Sequence, residues 1–150
     1  MVDGRNRGDD PRMTEQPAAD DSSLEQIEGD VWGDPAPGAT DLVTTVHRLR
    51  RKPIGALTAE DLRMLVAQQV GLGVLVPRAL TRLEGDPLLE GDYYPGDLLV
   101  ATLKVPVSYW STHLDQLVRV DVVVASVAEP DADLTRDIDA FRERTRGIGR

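Results

Sequence analysis

Apolar positions recur at helical rather than strand spacing over most of the chain. After Thr40, placed to cap, Leu42, Val43, Val46 and Leu49 line one face of a helix. It is expected to stop among Arg48, Arg50, Arg51 and Lys52, because cations suit a helix C-terminus and Pro53 disfavours a helical residue before it. Thr58, followed by Ala59, Glu60 and Asp61, announces a second helix with the stripe Leu62, Leu65, Val66 and Gln69, ended by Gly71. The most regular stripe is Leu72, Leu75, Val76, Ala79, Leu80 and Leu83, and Pro77 must lie near its first turn or kink it. Gly85, Asp86 and Pro87 read as a loop, and Asp97 after Gly96 is placed to cap a short helix through Leu98, Leu99, Val100 and Leu103.

Pro106 and Ser108 begin an element with two readings. Trp110, Leu114, Leu117 and Val118 fit a helix, while the alternation of Val118, Val120, Val122 and Val124 is also a strand pattern, leaving residues 118–127 unsettled. Helix is favoured because no partner strand is visible. A last helix carries Leu134, Ile138 and Phe141 after the break at Pro130 and Asp131. Ahead of all these, Leu24, Ile27, Val31 and Trp32 precede a turn-rich run from Gly33 to Gly38, which suggests an irregular arm or short helix docked on the domain. Residues 1–22 have almost no apolar content and are expected to be a disordered acidic tail. The expected fold is all-α: a single compact helical domain of about six helices over residues 23–150.

Composition narrows the function. With 150 residues there is room for one ordinary core, and with a single Phe that core must rest on Leu, Val and Ala. There is no cysteine, which removes thiol nucleophiles, disulfides and cysteine-based zinc sites. No apolar run approaches a membrane span and the N-terminus is not signal-like, so a soluble, unexported, cytoplasmic chain is expected, without membrane attachment. The net charge of −9 makes direct nucleic-acid binding an unsuitable role. Residues 1–40 hold ten acids and three bases, residues 41–106 eight of each, and residues 107–150 eight acids and six bases.

Motifs for catalysis are missing: there is no HExxH, GxSxG, phosphate loop or GxGxxG, and His47 and His113 stand alone. No cofactor is implied. One stretch stands out, since Leu83 to Leu103 contains five acids and no Lys or Arg, with Tyr93 and Tyr94 adjacent in its middle. Tyrosine in a local negative field suits an interface with a cationic partner. A solvated loop with the tyrosines folded back over the core fits the same residues. Two other classes also stay open: a small hydrolase holding a divalent ion on Glu90, Asp92 and Asp97, and a structural or assembly protein docked through its tail.

The ordered succession Leu49-Arg50-Arg51-Lys52-Pro53, Leu57-Thr58, Glu60-Asp61-Leu62-Arg63, Gln68-Gln69-Val70-Gly71-Leu72, Leu75-Val76-Pro77, Ala79-Leu80, Asp86-Pro87-Leu88 and Glu90-Gly91-Asp92-Tyr93-Tyr94-Pro95-Gly96-Asp97-Leu98-Leu99 resembles the contact-dependent growth inhibition immunity proteins. The resemblance covers about residues 24–114. It implies a small, mostly helical cytoplasmic antitoxin that binds the C-terminal toxin domain of a secreted or surface effector. Toxins of such pairs include nucleases, among them ribonucleases of the pancreatic type with basic grooves. On that footing the toxin-binding residues expected here are Asp86, Glu90, Asp92, Tyr93, Tyr94 and Asp97. The resemblance says nothing about the tail or the Arg-rich end at Arg142, Arg144, Arg146 and Arg150.

Overall fold

The computed structural model describes residues 20–148. The expected disordered tail, residues 1–22, therefore falls almost wholly outside the described residues, as does Arg150. Among the described residues every regular element is helical, and the one β-bridge, Ser23 with Pro53, is isolated. The all-α expectation holds. The chain divides between Leu57 and Thr58 into two compact units.

The first unit contains α1 (Leu24–Glu28), α2 (Asp41–Arg50) and a 3-10 turn (Ile54–Ala56). Ser23 starts α1 with a capping box, its hydroxyl accepting from the Gln26 N–H and the Gln26 side chain accepting from the Ser23 N–H. Gly29 ends it at φ +65°, a conformation that costs a glycine little. Thr40 caps α2 as expected, and α2 buries Val46 and Leu49 with Leu24, Ile54 and Leu57 in the unit's core. Leu42 and Val43, assigned by periodicity to the same stripe, are exposed. The cations after Leu49 do more than complement the helix end. Arg50 Nη2 donates to Glu28 Oε1 at 3.1 Å and to the Asp30 carbonyl at 2.8 Å, and Arg51 Nη2 donates to the Gly33 carbonyl at 2.6 Å. These bonds tie the irregular arm after α1 to α2.

The second unit contains α3 (Ala59–Ala67), α4 (Leu72–Gly85), α5 (Asp97–Leu103), α6 (Val107–Ser111), α7 (Leu114–Ala125) and α8 (Ala132–Arg144). Every residue of α5 is buried, so this short helix is the centre of the unit, packed by α3, α4 and α8. α4 buries Leu75, Val76, Ala79, Leu80 and Leu83 as its stripe predicts. Pro77 is its sixth residue, deeper than a first turn, and its ring stands against the carbonyl position of the exposed Gly73. Trp110 is fully buried, its indole N–H donating to the Val105 carbonyl at 3.1 Å and its ring edge-on to Phe141.

Between Trp110 and Leu114 the sequence reading needs correction. The helix is interrupted at Thr112 and His113, so α6 and α7 have different phases and Trp110 is buried while Leu114 is exposed. The 118–127 ambiguity resolves as helix through Ala125, with Ser126 as the C-cap. Val120 and Val124 are buried while Val118 and Val122 are exposed, which a strand alternation would place on one face. Among the described residues, two short helices, α1 and α6, account for the excess over the six expected.

The turn from α3 to α4 shows why Gln68-Gln69-Val70-Gly71-Leu72 has its form. The Val70 N–H donates to the Leu65 carbonyl and the Gln69 N–H to the Val66 carbonyl, a Schellman closure with Gln69 left-handed at φ +59°. Gly71 is left-handed as well, at φ +65°, and precedes α4. Only one of the two left-handed residues is glycine. Gln69→Gly is therefore expected to raise unfolding free energy by up to about 1 kcal/mol, and Gly71→Ala to lower it by about 1–2 kcal/mol, both read from urea unfolding midpoints.

Candidate functional site

The acidic, tyrosine-bearing stretch is the loop between α4 and α5. A turn begins it, with the Leu89 N–H donating to the Asp86 carbonyl, and the Gly96 N–H donating to the Leu88 carbonyl closes it. Inside that closure four successive backbone N–H groups turn inward onto two carboxylates. Asp97 Oδ1 accepts from the Gly91 N–H at 2.6 Å, and Asp97 Oδ2 accepts from the Tyr93 and Tyr94 N–H groups at 3.1 and 3.4 Å. Glu60 Oε1 on α3 accepts from the Asp92 N–H at 2.9 Å. The loop is thus held from beneath by carboxylates on two packed helices. Gly91 leaves room for this arrangement: a Cβ there would lie 2.6 Å from Glu60 Oε1 and 3.1 Å from Asp97 Oδ2, so the Glu60 carboxylate would have to shift.

Arg63 completes the support. It forks onto Glu60, with Nε to Oε1 at 2.7 Å and Nη2 to Oε2 at 2.6 Å, while its guanidinium carbon lies 4.6 Å from the centre of the Tyr93 ring. Arg63 holds the Glu60 carboxyl below its ordinary value, partial burial opposes this, and the Asp92 N–H adds to the lowering. Glu60 in turn raises Arg63. Both groups are therefore charged throughout the neutral range.

With the backbone donors facing in, the side chains face out. Tyr93 is 69% exposed and Tyr94 48%, and Asp86, Glu90 and Asp92 are exposed as well. The reading in which the tyrosines fold back as core lids fails on these values. Asp97 departs from the expected set, being only 3% exposed with its oxygens occupied by loop amides. Nor does its side chain cap α5; Gly96 occupies that position at φ +92° and Asp97 is the first helical residue. The same placement removes Asp97 from the carboxylate trio that a divalent-ion hydrolase would use. Among the described residues no three His, Asp or Glu side chains converge to hold a metal ion.

Sequence reasoning missed both the props and a second wall. Glu60 and Arg63 show a readable three-residue spacing for an ion pair, but nothing in it signals a loop some thirty residues further along. Beside Tyr94 lies a cleft of about 470 Å³, bounded by Pro95, Gly96 and Val100 on the loop side and by Asp131, Asp133, Leu134, Arg136 and Asp137 at the start of α8. Asp131 caps α8 through the Leu134 N–H at 2.8 Å, and Asp133 pairs with Arg136 at 3.1 Å. Burial, then Asp137 and Asp97, push the Tyr94 phenol above its ordinary value, so it remains a neutral hydroxyl. Loop and cleft form one acidic surface with two aromatic groups.

The remaining candidates have structural uses. His47 lies 3.2 Å from the Gly33 carbonyl, and His113 stacks on Tyr109 at 3.8 Å. Glu84 is forked by Arg119 on α7 at 2.8 and 2.9 Å, and Arg144 donates to the Leu103 carbonyl at the end of α5. No helix of the described residues is long and apolar enough to cross a membrane.

A family model described as CDI immunity proteins matches residues 26–120. No curated protein matches the chain.

Two outcomes follow from the loop's support. Asp97→Ala strands three amides and is expected to cost about 1–3 kcal/mol of stability, measured by chemical denaturation. For Glu60 the folded carboxyl titrates lower than the unfolded one, so its contribution is complete above the ordinary glutamate value of about 4.3 and disappears as pH falls through the lower folded value. The stability gap between wild type and Glu60→Gln should therefore be present at pH 7 and close as the solution is acidified below that range.

Proposed function

Because the chain belongs to the CDI immunity proteins, we propose that it binds the C-terminal toxin domain of a contact-dependent growth inhibition effector and neutralises it in the cytoplasm by stoichiometric occlusion, without catalysis. The observation that carries the choice of surface is the loop whose inward-turned amides leave Asp92, Tyr93 and Tyr94 facing solvent. A protein that must silence traces of an enzyme needs nanomolar affinity or better, about −12 kcal/mol. A pre-shaped loop favours this, because the ordering entropy of the chain is lost on folding rather than on binding.

The toxin is proposed to be a nuclease with a basic substrate groove. Such a groove attracts phosphate, and the same charges attract Asp86, Glu90 and Asp92, so the immunity protein would compete with nucleic acid for them while not binding nucleic acid itself. The cleft between Tyr94 and α8 has the lining to receive a Lys or Arg side chain among Asp131, Asp133 and Asp137, with the Tyr94 ring alongside. Asp97 contributes by shaping the loop. Residues 23–150 are proposed to suffice, with the acidic tail dispensable.

The test is calorimetric titration against the C-terminal domain of the effector encoded immediately upstream, together with rescue of cells expressing that domain. One-to-one binding with rescue, retained after removal of residues 1–22, is the expected result; no heat and no rescue would refute the reading. Tyr93→Ala with Tyr94→Ala should speed dissociation by about tenfold or more. Asp92→Lys should mainly slow association, with the difference from wild type shrinking as salt is added.

A further inference from the structure

The first unit leaves large apolar groups in water that its core does not use. Ile27, Val31, Trp32, Leu42 and Val43 are exposed, Val31 at 71% and Trp32 at 44%. Trp32 is nonetheless fixed. The Arg50 guanidinium carbon lies 4.1 Å from its ring centre, the His47 ring meets it edge-on at 5.1 Å, and its indole N–H donates to Asp30 Oδ2 at 3.2 Å. Arg50 is itself buried and bonded to Glu28 and the Asp30 carbonyl. A tryptophan braced from three directions yet half in water is a pre-organised anchor, the residue type that most often dominates an interface. Val43 lies one turn before His47 on α2, on the side from which His47 meets Trp32.

The charge around this patch selects its occupant. Residues 20–43 contain seven acids and no Lys or Arg, and the four cations among the unit's described residues are confined to residues 48–52. Arg50 and Arg51 are turned back onto Glu28, Glu25 and Asp34. A second copy of this chain would bring like charge against like, whereas a basic protein face is attracted. We infer that the surface formed by Trp32, Val31 and Val43 is a second docking site for the toxin domain, engaging a basic, partly apolar face of it with Trp32 as anchor. The inference rests on the proposed function.

The probe is the same upstream-encoded toxin domain, with dissociation followed by surface plasmon resonance. Val31→Asp with Val43→Asp changes only exposed positions, and Trp32→Ala removes the anchor; circular dichroism and Tm check folding. Each is expected to raise the dissociation rate at least tenfold, and the Val31→Asp with Val43→Asp variant to do so at unchanged Tm. If that variant dissociates like wild type while the Tyr93→Ala with Tyr94→Ala variant does not, the inference is overturned and the function stands. If wild-type protein does not bind the domain at all, both fall. A concentration-dependent dimer in sedimentation, abolished by Val31→Asp with Val43→Asp, would overturn it in favour of a second copy.

Discussion

The Asp97 carboxylate is the constraint on which the rest of the candidate surface depends. It sits at the first position of α5, the most buried helix of its unit, and takes three loop amides onto two oxygens. A buried carboxylate is tolerated only when it is fully hydrogen-bonded, and here the bonding partners are the backbone of the segment that faces water. The core and the surface are therefore mechanically linked. Packing of α5 against α3 brings Glu60 and Arg63 to the same loop, where one carboxylate serves both an amide and a guanidinium. Acids within one short loop repel each other, and the inward-facing amides and Arg63 offset that repulsion while Asp86, Glu90 and Asp92 stay exposed.

Much of the fold was legible because its helices are long enough to show a period and carry their own start signals. Thr40 and Thr58 each cap a helix with a side-chain oxygen as expected, and the Leu72–Leu83 stripe is buried nearly residue for residue. The failures have physical reasons. α1 and α6 span a single turn or so, too short for a 3.6-residue pattern to register. The break at Thr112 and His113 has no proline or glycine to announce it, and is closed by hydrogen bonds of the Thr112 and His113 N–H groups to the Tyr109 and Trp110 carbonyls. Where the chain was ambiguous at Val118 to Val124, only tertiary burial separates helix from strand.

The site was legible in outline, through the absence of Lys and Arg around Tyr93 and Tyr94, and illegible in its construction. Six positions were expected to face a partner, and five do face solvent. Asp97 was indistinguishable in sequence from its neighbours because an outward acid and an amide-binding acid have the same letter; the glycine at 91, whose Cβ would collide with Glu60 Oε1 and crowd the Asp97 carboxylate, was a local sign of a crowded interior. The α8 wall of the cleft lies beyond residue 120, where the family match ends, and its three aspartates read as an ordinary acidic helix start. Likewise Leu42 and Val43 followed the periodicity of α2 but not its burial, since a stripe marks apolar residues and not what covers them.

Amide hydrogen exchange at residues 91–94 in the free protein tests most directly whether the loop is held in shape before any partner arrives. Protection well above that of an open loop, lost in Asp97→Asn while the amides of α4 keep theirs, is the result expected of inward-facing donors bound to carboxylates. Exchange at coil rates in the wild-type protein would contradict it, and with it the pre-shaped surface on which the proposed toxin recognition depends.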